Sequence, residues 1–181
     1  MRVWEEAPFH DGDEISADRW SAILARSALI QARGQALSLL SRSEHSRFLL
    51  RRKLLQRHHE PTTIDAVLDE LQEDGSLDDG RYAESWVRSR LRSHPEGRAH
   101  LVGGLRSRGI DAELAERAVA AVLDQESVSM LATARDLVDR MTRRRPLSPE
   151  RIADRLYRRG FSSEIVRRVV AAPGDGPEWD E

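Results

Sequence analysis

The stretch Arg98–Ile110, RAHLVGGLRSRGI, constrains the fold more than any other, because the chain says it three times. Leu101 and Leu105 are four apart and stack on one helix face, and Gly109 supplies a residue without a Cβ where a helix must stop. Fifty-one residues on lie Ile152, Leu156, Arg159, Gly160 and Phe161, and fifty-one back lie Leu50, Leu54 and Arg57, with His58 in place of the glycine. A fixed period of this length is the signature of stacked repeats, each a supersecondary unit that cannot bury its apolar face alone.

Each copy is flanked by two further helical stripes at offsets of three, four, seven and eight. Before it come Ala32, Ala36, Leu39 and Leu40; Ala83, Trp86, Val87 and Leu91; and Ala134, Leu137, Val138 and Met141. After it come Ile64, Val67, Leu68 and Leu71; Leu114, Ala118, Ala121 and Val122; and Ile165, Val169 and Ala172. The pattern predicts an all-α chain of three tandem three-helix units, at 26–76, 77–126 and 127–172. Residues 1–25, acidic and without a sustained stripe, read as a flexible arm, so the first helix is expected from Arg26 to Leu40. Residues 173–181, PGDGPEWDE after the leading Ala172, read as a disordered acidic tail.

Composition narrows the function. With 39% hydrophobic but only 5% aromatic residues, the chain suits several modest cores rather than one large one. It has no cysteine, which removes disulfides, thiolate metal sites and cysteine nucleophiles. No apolar run approaches the roughly 18 residues a membrane span needs, and the N-terminus is acidic where a signal peptide is basic. A soluble, cytoplasmic protein without membrane attachment is expected.

The net charge of −2 conceals segregation. Arg42, Arg47, Arg51, Arg52, Lys53 and Arg57 crowd the stretch from Arg42 to Arg57 against Glu44 alone, and carboxylates dominate from Glu60 to Glu84. The alternation recurs with Arg98, Arg106 and Arg108, then Glu113 and Glu116, and again with Arg143, Arg144, Arg145, Arg151, Arg155, Arg158 and Arg159. Stacked with similar rotations, the basic helices would form one stripe suited to an elongated partner. In the competing reading these are solvated faces whose arginines pair with acidic neighbours.

Asp78-Asp79, in LDDGRYA, could offer two carboxylates to a divalent cation, but no run of alternating acids supplies the remaining oxygens. The more economical use is capping of the following helix by one of them. Tyr82 and Trp86 fit a core better than a base-stacking platform, which needs more aromatics. His58-His59 sit at a helix end, where capping is the simpler role. Gly103-Gly104 suits close helix approach. Phe161, Ser162 and Val166 read as a hydrophobic staple around an N-cap. No histidine pair has zinc-site spacing, and no phosphate loop or nucleophile elbow is present. Neither catalytic residues, metal nor cofactor are expected.

At these residues the chain resembles the RecX regulatory proteins, modulators of the RecA recombinase. The likeness runs from about Ala28 to Ala172. It is carried by LDDGRYA at Leu77–Ala83, by Gly97-Arg98 with Leu105-x-x-Arg108-Gly109-Ile110, and by Ser46–Leu54, where Leu49-Leu50 replaces the family's Glu-Leu. The resemblance implies an elongated, curved molecule of three three-helix units that lodges in the groove of the RecA–DNA filament. It also implies that the protein opposes filament growth, and with it ATP hydrolysis, strand exchange and the co-protease activity behind the SOS response. Arg51, Arg52, Lys53, Arg57, Arg98, Arg106, Arg108, Arg155, Arg158 and Arg159 are the candidate partner-binding residues. Asp78, Asp79, Arg81, Tyr82 and Gly109 are assigned to folding. A monomer with at most weak direct DNA contact is expected; a helical repeat that binds nucleic acid directly is the alternative.

Overall fold

The computed structural model describes residues 14–126, 128–143 and 146–171. The expected tail at 173–181, Ala172, Ser127, Arg144, Arg145 and residues 1–13 of the expected arm lie outside these. Among the described residues there are nine helices and no strand: α1 (Ala17–Leu40), α2 (Arg47–Leu55), α3 (Pro61–Glu73), α4 (Asp79–Ser93), α5 (Arg98–Arg106), α6 (Ala112–Gln125), α7 (Met130–Thr142), α8 (Pro149–Arg158) and α9 (Ser163–Ala171). The chain is all-α and built of tandem helix triplets, as its period requires.

The triplets close on the residues the period selects. Leu54, Leu105 and Leu156 are each fully buried. In the first triplet Ala32, Ala36, Leu39, Leu50, Leu54, Ile64, Val67, Leu68 and Leu71 form one core with Leu77. In the last, Ala134, Leu137, Leu156, Phe161 and Val166 do so, with Val138, Met141, Ile152, Ile165 and Val169 partly buried against them. On α6 the buried stripe is Ala115, Ala118, Val119 and Val122, so the expected Leu114 and Ala121 are only half-buried. Trp86 is half-buried too, whereas Tyr82 is buried.

Side chains and prolines mark the helix starts. Ser46 Oγ accepts from Leu49 N–H (3.2 Å), and Asp111 Oδ1 accepts from Glu113 and Leu114 N–H (2.8 and 3.3 Å). Both satisfy amides that lack a helical acceptor. Pro61 and Pro149 occupy first-turn positions, where the missing N–H costs nothing. Glu60, and neither threonine, is the N-cap of α3. Ser162 Oγ caps α9 through Ile165 N–H (3.4 Å), with Phe161 and Val166 buried on either side of it.

The first helix corrects the expected boundary. It begins at Ala17, with Ser16 Oγ accepting from Arg19 N–H (3.3 Å), so residues 17–25 of the expected 1–25 arm are helix. Residues 17–27 bury nothing in the core, which is why no core stripe announces them.

All three second helices end alike. In α5, Gly109 N–H bonds Arg106 O and Ile110 N–H reaches back to Leu105 O; in α8, Gly160 and Phe161 repeat both bonds to Tyr157 O and Leu156 O. Gly109 and Gly160 have φ of 80°, the left-handed region open to glycine. In α2 the same places fall to His58, at φ 63°, and His59. Their amides bond Leu55 O and Leu54 O, so the capping expected of this pair is done by main chain and not by the rings. His59 occupies the position of buried Ile110 and Phe161, and its Nε2 is buried with no partner among the described residues. His58→Gly is therefore expected to stabilise the chain by about 1 kcal/mol by relieving left-handed strain. Adding His59→Ile should contribute about 1 kcal/mol more by removing an unsatisfied buried nitrogen. Urea unfolding of the two variants, with α1–α3 reporting, measures both.

The chain divides into two compact units, the first ending at Asp79 and the second beginning at Gly80. The expected division near residue 76 falls beside this point. The one near 126 lies inside the second unit, because α8 is docked end-on to α5. Gly97 N–H donates to Arg159 O (2.8 Å) and Ala99 N–H to Gly160 O (3.3 Å). Orphan carbonyls at one helix's C-terminus thus satisfy orphan amides at the other's N-terminus, with opposite dipole ends together. Arg159 Nη1 adds a bond to Pro95 O (3.3 Å).

Candidate functional site

Ten cations were expected to face a partner, and their surroundings sort them. On α2, Arg51 grips Asp65 of α3 through Nε–Oδ1 (2.8 Å) and Nη2–Oδ2 (3.3 Å). This hydrogen-bonded pair raises the Arg51 pKa and lowers that of Asp65. Arg57 Nη1 donates to Gln35 Oε1 (3.2 Å). Arg52 and Lys53 have no hydrogen bond or ion pair among the described residues; Arg52 is exposed and Lys53 half-buried.

In the second unit, Arg98 holds Glu116 through Nε and Nη2 (3.0 and 2.8 Å), and Arg158 pairs with Asp154 one turn back (3.1 Å). Arg159 serves the joint described above. Arg108 lies over the Trp86 ring, 4.7 Å from its centroid, and donates to Gly104 O (2.8 Å). A Cβ on Gly104 would overlap the same indole, whereas one on Gly103 would meet open space, so only Gly104 has the expected close-approach role. Trp86, Gly104 and Arg108 form one packed stack that ties α4 to α5. Arg106 and Arg155 are exposed and unpaired among the described residues.

The reading in which arginines pair with neighbouring acids therefore holds for Arg51, Arg98 and Arg158, and outside the ten candidates for Arg33, Arg47, Arg88, Arg117, Arg140, Arg168 and Arg90. The Arg90 guanidinium takes both oxygens of buried Glu96 (3.0 and 2.6 Å), a pair that raises the Arg90 pKa.

Of the folding motif, Tyr82 is buried and Gly109 closes α5. Asp78 and Arg81 are partnered, and Arg81 is exposed. Asp79 Oδ1 accepts from Arg47 N–H (2.7 Å), so this carboxylate serves the start of α2 across 32 residues of sequence. No group of three or more metal-ligating side chains occurs among the described residues.

Burial raises the Asp79 pKa against the opposing bond from Arg47. Above its unfolded pKa of about 3.9, the unfolded state holds fewer protons than the folded one until the raised folded value is passed. In that window stability falls as pH rises. Asp79→Asn keeps an acceptor for Arg47 N–H without the charge, so its advantage over the parent should grow through the window and level off at neutral pH. Asp79→Ala should cost about 1–3 kcal/mol by orphaning that amide. Urea titrations between pH 4 and pH 7 test both.

Sequence reasoning missed a second class of surface residue. Phe48 (47% exposed) and Leu55 lie on α2 beside Arg52, at offsets of four and three, and Tyr157 is exposed on α8. Trp20, Leu24, Ile30 and Leu37 are exposed along α1. The signal was present as apolar positions lying off each core stripe.

Comparison with known proteins accords with this architecture. Residues 32–71 match the family model of the first three-helix domain of RecX, and residues 78–119 that of the second. Regulatory protein RecX of Halorhodospira halophila is 38% identical over 161 residues, covering 85% of this chain and 95% of its own. That of Treponema pallidum is 33% identical over 165 residues, covering 91% and 99%. A crystal structure of a regulatory protein RecX superimposes with a TM-score of 0.78 at 20% identity, over 94% of this chain and 85% of that one. RecX from Lactobacillus salivarius gives 0.69 at 21% identity, over 81% and 96%. Identity above 30% across nearly the whole length of two relatives, together with the shared helix triplets, makes this chain a member of the RecX family of regulatory proteins.

Proposed function

We propose that the chain is a non-enzymatic, cytoplasmic regulator that binds the RecA–DNA nucleoprotein filament in its groove and inhibits its extension. Recombinase, ATPase and co-protease activities would fall with it, restraining the SOS response and DNA repair. The observation that carries the reading is the set of uncommitted cations on the second helices, Arg52 and Lys53 on α2 with Arg106 and Arg155 on α5 and α8, in a chain of net charge −2. A protein living on bare DNA is usually more basic; a few free cations beside exposed Phe48 and Leu55 suit an acidic, partly apolar protein surface. Several weak patches engaging successive filament subunits would add through effective concentration. Arg51, Arg98, Arg108, Arg158 and Arg159 are already engaged within the fold, and Arg57 holds a single exposed bond.

The test is the rate of ATP hydrolysis by RecA preassembled on single-stranded DNA, with this protein well below the RecA concentration. The rate is expected to fall. Reversing Arg52, Lys53, Arg106 and Arg155 together to Glu should raise the concentration for half-inhibition on the order of 30-fold, about 0.5 kcal/mol for each rim charge, with an unchanged melting curve. An unchanged rate, joined to tight DNA binding that weakens by about one logarithmic unit per neutralised phosphate for each tenfold rise in salt, would favour the direct nucleic-acid-binding repeat.

A further inference from the structure

The outer face of α1, turned away from the core residues Ala32, Ala36 and Leu39, carries a seam of its own. Trp20, Ile23, Ser27, Ile30, Gly34 and Leu37 follow one another at spacings of three, four, three, four and three, the heptad spacing of a coiled coil. Trp20 is 46% exposed, Ile30 38% and Leu37 40%; Gly34 is exposed, and Ile23 and Ser27 are half-buried. Residues 51 further on from Ile30 and Leu37 are Arg81 and Arg88, so the second repeat has cations where α1 is apolar.

We infer that this seam is the interface of a homodimer, in which α1 packs antiparallel on α1 of a second copy. The residues are complementary to themselves in one register. About a two-fold axis between Ala28 and Leu29, Ile23 meets Gly34 of the second copy, Ile30 meets Ser27 and Leu37 meets Trp20. Every large aliphatic side chain then faces a small residue or the indole. A parallel pair would set Ile30 on Ile30 and Gly34 on Gly34, crowding one layer and emptying the other.

The flank agrees. In the antiparallel register Arg26 approaches Arg33 of the second copy, and Arg33 is already tied to Asp74 (2.9 Å) and Glu70 (3.9 Å). The group met by Arg26 is thus net negative. The seam is about 27 Å long and would bury on the order of 1,000 Å² in total, the lower bound for a specific interface, so the dimer is a weak, concentration-dependent one. Such a dimer departs from the monomer expected from the sequence.

Sedimentation velocity across roughly 2–500 μM should show the full chain passing from monomer to dimer, the range a small interface allows. Ile30→Glu should raise the dissociation constant at least tenfold, roughly the effect of one buried charge. Gly34→Leu is the sharper variant. A Cβ there meets nothing within 4 Å, and Leu is the better helix former, so α1 should persist while the dimer is lost.

The native chain has no cysteine, so single-cysteine variants report register. Ser27→Cys should link to itself through a short bismaleimide. Arg19→Cys should not, its two copies lying about 29 Å apart along the axis. A chain monomeric throughout, a dimer that survives Gly34→Leu, or self-linking of Arg19→Cys would each overturn the proposal.

Discussion

Gly97→Ala is expected to release α7–α9 from α5 while leaving α1–α3 folded. The α5–α8 joint is made of main chain on both sides, and a Cβ at Gly97 would overlap the carbonyl carbon and oxygen of Gly160 and the amide of Phe161. Backbone cannot rotate out of the way as a flexible side chain can. Relief must come from moving one helix end, which breaks the Gly97–Arg159 and Ala99–Gly160 bonds together. The cost should be about 3 kcal/mol, at the upper end of overpacking penalties. Gly160→Ala meets the same limit from the other side, with His100 N at 2.6 Å, and adds a strained φ of 80°. Hydrogen exchange should show protection lost in α7–α9 for both variants. Loss spread evenly over all helices would mean the joint is not where the last triplet is held.

Leu156→Ala and Leu54→Ala should each cost about 3–5 kcal/mol, in different parts of the molecule. Both leucines are fully buried at equivalent points of the period. Leu54 belongs to a core of ten buried residues, which can lose one and remain closed. Leu156 is one of five, and apart from Ala134 it is the only member there with no exposed surface. Its loss should melt the last triplet outright, giving a separate low-temperature transition in calorimetry. Leu54→Ala should instead lower a single transition of the first unit. A common shift of one transition by both variants would show that the units melt as one.

The helices were legible because their signal is local. Leu54, Leu105 and Leu156, with the stops at His58, Gly109 and Gly160, repeat without reference to anything distant. Ala17–Ala25 was missed because those residues bury nothing in the core, so no core stripe marks them, and Trp20 and Ile23 fall on the outer seam. The site was less legible for a related reason. An arginine's commitment depends on which acid the tertiary angle brings near, and Arg51 and Arg52 are adjacent in sequence yet one is gripped by Asp65 and the other is free. The bond from Arg47 N–H to Asp79 was not legible, since a partner 32 residues away leaves no periodic trace.

That same carboxylate bears on how the protein is made. Asp79 closes the first unit and is also the first residue of α4. As the chain leaves the ribosome, α1–α3 can collapse on their leucines, but the leading amide of α2 waits for its acceptor until the opening of the next triplet emerges. Vectorial synthesis thus leaves the start of α2 incomplete until the next triplet opens, and the amides of Gly97 and Ala99 at the start of α5 wait likewise for the carbonyls at the end of α8.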